Sequence, residues 1–145
     1  MHANNDLHNS IKQVVSILPT TLGATGVISG AIHDRQGYGG VEFLPMYGAV
    51  TTTGTVVTVI VKAGDTTGAL TSVADSELIG TEALASLLAG ARVAGTGKEV
   101  AKRIGYIGPQ RYVQISLNGT GTTSAGIVAA TAILFNPSIV PVANP

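Results

Sequence analysis

The feature that most limits the fold of this chain is a series of short runs rich in β-branched residues, separated by turns of glycine, threonine and asparagine. Residues 55–62 form the clearest run, because valine, isoleucine and threonine dominate it. Residues 111–117 alternate apolar and polar side chains, which is typical of a strand buried on one face. Strands do not alternate with long helical segments, so a parallel sheet is not expected. The sequence therefore predicts an all-β fold, either an antiparallel β-sandwich or a jelly-roll-like barrel.

Residues 41–50 predict a strand of a different kind, because both of its faces are largely apolar. One face carries Val41, Phe43, Tyr47 and Ala49, and the other carries Glu42, Leu44, Met46 and Val50. A strand that is apolar on both faces is expected to be covered on both sides or to abut a partner. Pro45 has no N–H group to donate, so it predicts an edge or a bulge at that point.

Residues 75–90 change from strand periodicity to helix periodicity. Their apolar positions recur at every fourth residue, at Ile79, Ala83 and Leu87. Thr81 is a candidate N-cap, and Gly90 is a candidate C-terminal stop. The sequence therefore predicts one short helix attached to the β fold.

Charge is scarce and unevenly distributed along the chain. Charged residues make up 11% of the sequence against 45% hydrophobic residues, and the net charge is zero. Apart from Asp6 and Lys12, all of them lie between Asp34 and Arg111, so the last 34 residues carry no charge. A neutral chain with uncharged ends and a mean hydropathy of +0.39 tends to associate. We therefore expect this protein to be a subunit of an assembly. The alternative is a well-packed β-domain whose surface uses Thr, Ser, Asn and Gly in place of charge.

Neither nucleic acid nor a membrane is expected as a partner. Zero net charge gives no long-range attraction for phosphates, and the apolar stretches are broken too often to form transmembrane helices. The first residues lack the basic and apolar regions of a signal peptide, so export is not expected. One cluster of basic and aromatic residues could bind single-stranded nucleic acid. The favoured interpretation is that its cations pair with acidic residues. The cluster consists of Lys98, Lys102, Arg103, Arg111, Tyr106 and Tyr112.

No catalytic or metal-binding motif stands out, so we predict no enzyme activity, no cofactor and no bound metal. The chain has no cysteine, and residues 90–98 lack the spacing of a phosphate-binding loop. His33 and Asp34 could act as a base and its orienting carboxylate, but neighbours on a strand point to opposite faces. A turn aspartate beside a surface histidine is therefore the favoured interpretation. A deep cleft around the pair would revive the enzyme hypothesis.

Four segments of the chain resemble the capsid decoration, or cement, proteins of tailed bacteriophages. They read DLHNSIK at residues 6–12, IHDRQGY at 32–38, DSELIGTE at 75–82 and IGYIGPQRYV at 104–113. The resemblance implies a β-sandwich that forms homo-oligomers, dimers or trimers, on the outer surface of the capsid. It also implies synthesis in the bacterial host cytoplasm and a partner, the major capsid protein, whose neighbouring subunits the decoration protein bridges. The alternatives are a structural component of a phage neck or tail, and a carbohydrate- or receptor-binding β-sandwich on the virion.

The sequence divides into three expected regions. Residues 1–18 form an N-terminal arm, residues 19–136 the β-sandwich domain, and residues 137–145 an extended C-terminal tail. Within the first region, residues 11–17 are a short β-prone run that is typical of an arm or an edge strand. Extended apolar ends add contact area at little cost in mass, so we expect them to contact the capsid or sister subunits. The predicted contact residues are Leu7, Ile11, Val14, Val15, Ile17, Ile139, Val140 and Val142.

Overall fold

The computed structural model describes residues 6–22, 26–48, 56–87, 100–120 and 126–142, which form two antiparallel sheets. Sheet A has six strands, in the order β1-β11-β4-β9-β7, and β8 also pairs with β4. Its strands are β1 (Ile11–Thr21), β4 (Tyr38–Tyr47), β7 (Leu78–Ile79), β8 (Val100–Ala101), β9 (Ile104–Tyr106) and β11 (Ile127–Pro137).

Sheet B has five strands, in the order β2-β10-β5-β6, and β3 also pairs with β10. Its strands are β2 (Gly26–Ser29), β3 (His33–Asp34), β5 (Val56–Gly64), β6 (Thr71–Ser72) and β10 (Tyr112–Thr120). The two sheets enclose one core, so the predicted antiparallel β-sandwich is confirmed.

The core is built by strict alternation along the central strands. In β10 the inward side chains of Val113, Ile115 and Leu117 are fully buried, as the sequence pattern predicts. In β4 the inward residues Val41 and Phe43 are equally inaccessible. The predicted positions Ala49 and Val50 at the end of this strand lie outside the described residues. Each strand of the core therefore presents a second, outward set of side chains, and these decide what the surface can bind.

The helix is shorter than predicted and closes an edge of sheet B. Helix α1 spans Glu82–Ala85, and the Thr81 side chain accepts the N–H of Leu84 at 3.2 Å, as expected of an N-cap. The expected stop at Gly90 is wrong, because Ser86 is already extended and Leu87 pairs with Val57 of β5.

The segment around α1 also satisfies backbone donors of β5. The N–H of Val59 donates to Ser86 Oγ at 2.8 Å, and the N–H of Val61 donates to Glu82 Oε1 at 2.6 Å. These donors lie on the side of β5 that β10 does not pair. The short helix is therefore an edge cover and not a peripheral decoration.

The N-terminal segment is part of the sandwich. Strand β1 pairs with β11 along its length, with Ile11 opposite Phe135 and Thr21 opposite Ile127. Ile17 is 4% exposed and belongs to the core. The boundary expected at residue 18 therefore falls inside an edge strand, because the apolar residues on its inner side are needed to close the core.

Pro45 sets a break in the strand that lies beside β4. Strand β9 pairs with residues 41–43 of β4, and β8 pairs with Met46 and Tyr47. Pro45 faces the gap between them, where it has no N–H to offer, and its carbonyl accepts the N–H of Lys102 at 2.9 Å. The irregularity predicted at Pro45 thus appears in the segment that pairs with β4, as an interruption between β8 and β9. Lys102 and Arg103 lie in this interruption.

Candidate assembly surfaces

The outer face of sheet A is largely apolar. Residues paired across neighbouring strands share a face, so the register identifies the side chains that point away from the core. One row crosses the sheet from Gln13 through Ile133, Glu42 and Gly105 to Ile79. The remaining outward residues that the register identifies among the described strands are Ile11, Val15, Thr21, Gly40, Leu44, Met46, Ala101, Ile127, Ala129, Thr131 and Phe135. Gln13, Thr21, Glu42 and Thr131 are the residues with polar side chains in this described set.

The outer face of sheet B has the opposite character. The register of β10 with β2, β3 and β5 places hydroxyl, amide and charged side chains there. This face carries Val27, Ser29, Asp34, Thr58, Ile60, Lys62, Ser72, Tyr112, Gln114, Ser116 and Asn118. The sandwich therefore has one face suited to water and one suited to a dry contact.

Glu42 is the one acidic side chain on the outer face of sheet A as far as the structure describes it. Its Oε2 lies over Gly105, where a Cβ atom would also meet Ile79 Cβ at 3.0 Å. Burial raises the pKa of the Glu42 carboxyl, and the charge of Arg103 opposes that shift. A glycine at 105 thus lets the carboxylate lie flat against the sheet.

A groove of about 920 Å³ runs beside Glu42. Leu44, Ile79 and Leu84 give it apolar walls, and Lys102 and Arg103 line it with two cations. Within the described residues, neither the carboxylate of Glu42 nor the two cationic groups makes an ion pair within 4.0 Å or a side-chain hydrogen bond. The groove therefore holds charges of both signs, all without a direct partner.

The two ends of the described chain lie side by side. The N–H of Val142 donates to the carbonyl of Asn9 at 2.9 Å, which ties the C-terminal segment to the turn before β1. Leu7, Ile139 and Val140 are 67%, 79% and 62% exposed. We call these three residues the terminal patch.

The predicted contact residues fall into three groups. Leu7, Ile139, Val140 and Val15 are exposed, and Val15 lies on the outer face of sheet A. Ile11, Val14 and Val142 are half-buried, and Val14 packs against the core. Ile17 is a core residue, so it is not available to a partner. Sequence reasoning missed Leu44, Ile133 and Phe135 as surface residues, although the two-sided pattern of residues 41–50 indicated that β4 has an apolar outer face.

His33 and Asp34 are not hydrogen-bonded to each other in the described structure, although both line a cavity of about 470 Å³. Asp34 behaves as a turn residue, since its Oδ1 accepts the N–H of Gln36 at 2.9 Å. Both of its oxygens also accept hydrogen bonds from Arg111, at 2.9 and 2.6 Å, which lowers the pKa of the Asp34 carboxyl. The expectation of a surface histidine is wrong, because His33 is 8% exposed and its ring centroid lies 5.9 Å from that of Phe43.

Burial of His33 predicts an acid-dependent loss of stability. Desolvation lowers the pKa of His33 below its ordinary value of 6.5, and its Nε2 has no hydrogen-bond partner among the described residues. The unfolded chain therefore takes up a proton near pH 6.5 while the folded chain does not, so stability falls as the pH drops below 6.5. Below that value the slope for this one site reaches at most about 1.4 kcal/mol per pH unit.

Urea unfolding between about pH 8 and about pH 5 measures this effect. We expect the His33→Leu variant to lose less stability on acidification than the unaltered protein. Asp34 does not mimic the effect, because its lowered pKa gives a stabilising contribution that is present above the ordinary 3.8 and is lost as the pH falls below that value. Equal slopes for the two proteins would contradict the assignment.

The basic and aromatic residues do not assemble into a stacking surface. Tyr106 is fully buried, and its hydroxyl donates to Gln110 Oε1. Arg111 forms an ion pair with Asp34, with the two side chains 2.6 Å apart. Lys98 lies outside the described residues.

Arg35 joins two of the four segments that carry the family resemblance. Its Nε donates to the Gln110 carbonyl at 2.6 Å, a second nitrogen donates to the Gly39 carbonyl at 3.0 Å, and a third donates to the Gly108 carbonyl. The guanidinium also lies 5.3 Å from the centre of the Tyr106 ring. These residues therefore hold the framework together, which is a structural role.

No group of three or more His, Cys, Asp and Glu residues that could hold a metal ion occurs in the described part of the chain. In the same residues, no helix is long and apolar enough to cross a membrane.

Comparisons with known proteins find similarity to solved structures but to no known family. No protein-family model matches the chain, and no curated protein matches it. A chain from the solved structure of Bacillus endospore appendages, described as a novel family of disulfide-linked pili, aligns with 93% of this chain and 95% of its own length. The TM-score is 0.44, and the sequence identity is 16%.

Proposed function

We propose that this protein is a structural virion protein that decorates the outer surface of a tailed-phage capsid and cements it by bridging major capsid subunits. The observation that carries the proposal is the terminal patch, where Leu7, Ile139 and Val140 remain largely exposed on a folded domain. Burial of three such side chains contributes roughly 25 cal/mol for each Å² of apolar surface removed from water. That gain is available only if another molecule covers them.

A cement protein needs contact area and a rigid body more than it needs chemistry. The sandwich supplies the rigid body, and its polar sheet B face can remain in water while apolar surfaces bind. The terminal patch lies near the point where the two ends of the described chain meet. There the N–H of Val142 donates to the carbonyl of Asn9 at 2.9 Å. This arrangement suits a contact that reaches from one domain to neighbouring shell subunits.

The carbohydrate-binding alternative finds no supporting cluster of tyrosines in the part of the chain that the structure describes. Such a site needs a cluster of exposed aromatic side chains, and the chain has four tyrosines. Tyr47 and Tyr106 are buried in the core. Tyr38 and Tyr112 are half-buried and belong to different sheets.

The test is a sedimentation assay with empty shells assembled from the major capsid protein encoded in the same gene cluster. Val140→Glu in the terminal patch is compared with Val27→Glu on the outer face of sheet B, since both valines are 62% exposed. We expect Val140→Glu to weaken shell binding at least about tenfold, because a buried carboxylate replaces a buried apolar side chain. Val27→Glu should bind like the unaltered protein.

Thermal unfolding provides the control, because both substitutions are at exposed positions and should leave the melting temperature nearly unchanged. If the unaltered protein does not sediment with the shells, the proposed function is wrong. Equal loss of binding in the two variants would remove the terminal patch from the contact.

A further inference from the structure

Sheet edges offer poor sites for association between copies. Strand β1 is the long edge of sheet A, but it has irregular register between Val15 and Ile17 and between Ile17 and Thr20, and it contains Pro19. Bulges and proline are features that prevent a strand from being added to an edge. The other edge strands are short, with two residues in β7, four in β2 and two in β6. Association is therefore expected through a face and not through strand addition.

The outer face of sheet A is large enough for a specific contact. Five strands about 4.8 Å apart, with roughly three to five outward residues along the longer ones, give roughly 500 Å² in flat projection. Rough side chains expose more surface than this projection, and a standard interface uses about 800 Å² from each partner. The face is thus of the right order for a stable dimer.

The charges on this face decide which partner fits it. Glu42 supplies a carboxylate, and Lys102 and Arg103 supply cations at the rim of the same groove. A partner of uniformly positive or negative surface would leave one of these signs unpaired in a dry contact, which is costly. A second copy of the same face carries both signs, so the carboxylate of each copy can face cations of the other.

We propose that the outer face of sheet A binds the same face of a second copy around a two-fold axis, with Glu42 of each copy facing Lys102 and Arg103 of the other. A two-fold contact is self-complementary, because each pairing occurs twice. This inference deepens the proposed function and rests on it for the role of the dimer. The polar face of sheet B stays in solvent on both sides of the dimer, and the terminal patch stays available to the shell.

The first test compares two identical substitutions on opposite faces. Ile133 of β11 and Ile60 of β5 are both half-buried and both point outward, on sheet A and sheet B respectively. Ile133→Lys should raise the dimer dissociation constant at least about 100-fold, because the two-fold axis places the new charge in the contact twice. Ile60→Lys should leave it unchanged. Sedimentation velocity over a concentration series measures both constants, and circular dichroism confirms that both variants are folded.

The second test exchanges charges between copies. Glu42→Lys alone, and Lys102→Glu with Arg103→Glu in one chain, should each dissociate the dimer, because like charges then face each other. An equal mixture of the two variants should form a heterodimer, since both contacts again join opposite charges. Rescue in the mixture is expected only if the charged groove of one copy lies against the charged groove of another.

Three outcomes contradict the inference. It is overturned if the unaltered protein is monomeric, if Ile133→Lys and Ile60→Lys have equal effects, or if the mixture of charge variants stays dissociated. A monomeric protein that still sediments with shells would overturn the dimer and leave the proposed function standing. A dimer that passes both tests but does not sediment with the shells would overturn the proposed function and leave the dimer standing.

Discussion

Deletion of residues 1–18 is expected to unfold the domain. The deletion removes most of β1, which pairs with β11 from Ile11 opposite Phe135 onward. It also removes Ile17 from the core and Val14 from contact with it. A new edge on β11 would then expose unpaired backbone groups along a long strand. We expect the loss of the cooperative thermal transition and of the β-sheet circular dichroism signal.

Deletion of residues 1–10 is the matched control, because it ends just before β1. This shorter deletion should leave the melting temperature almost unchanged while weakening shell binding through loss of Leu7. A cooperatively folded protein lacking residues 1–18 would contradict the assignment of β1 to the sandwich. It would restore the hypothesis that residues 1–18 are a separable arm.

Replacement of Phe43 by alanine is expected to lower the free energy of unfolding by about 3–5 kcal/mol. Phe43 is completely inaccessible at the centre of β4, between the two sheets, and its ring lies beside that of His33. The cavity left by the ring cannot be filled without moving both sheets. Urea unfolding at equilibrium measures the change, which is a large fraction of the 5–15 kcal/mol typical of a domain.

Leu44→Ala is the control for Phe43→Ala, because the next side chain along β4 points to the opposite face. We expect Leu44→Ala to change the stability of the dissociated chain by less than about 1 kcal/mol and to weaken the dimer. Phe43→Ala should show the reverse pattern, with dimerisation retained under conditions where the variant is folded. If Leu44→Ala destabilised the isolated chain as much as Phe43→Ala, the outer face would be part of the domain's own core.

Hydrophobic periodicity identified the interior strands because successive side chains of a strand point alternately inward and outward. In β10 the alternation of apolar and polar residues predicted which side chains point inward, and β4 was recognised as apolar on both faces. The role of β1 could not be predicted in the same way. Its bulge places Ser16 and Ile17 in succession on the buried side, which breaks the alternation, and its partner β11 lies at the other end of the sequence. An edge strand and a detached arm therefore look alike in sequence.

The end of the helix and the burial of His33 also depended on contacts between distant residues. Helix α1 stops at Ala85 because the following residues pair with β5, and no local signal marks that pairing. His33 is buried because β3 packs it beside Phe43. For the candidate surface, the sequence indicated an apolar outer side of β4, but the position of Lys102 and Arg103 follows from the break opposite Pro45.

The most direct test of the account is the mass of the unaltered protein in solution. The proposed dimer joins two copies of the chain through the apolar surface that each fold leaves exposed on sheet A. Sedimentation equilibrium at micromolar concentration should therefore give a mass of twice the 14.6 kDa chain, or a higher multiple. A single species of 14.6 kDa throughout the micromolar range would contradict it.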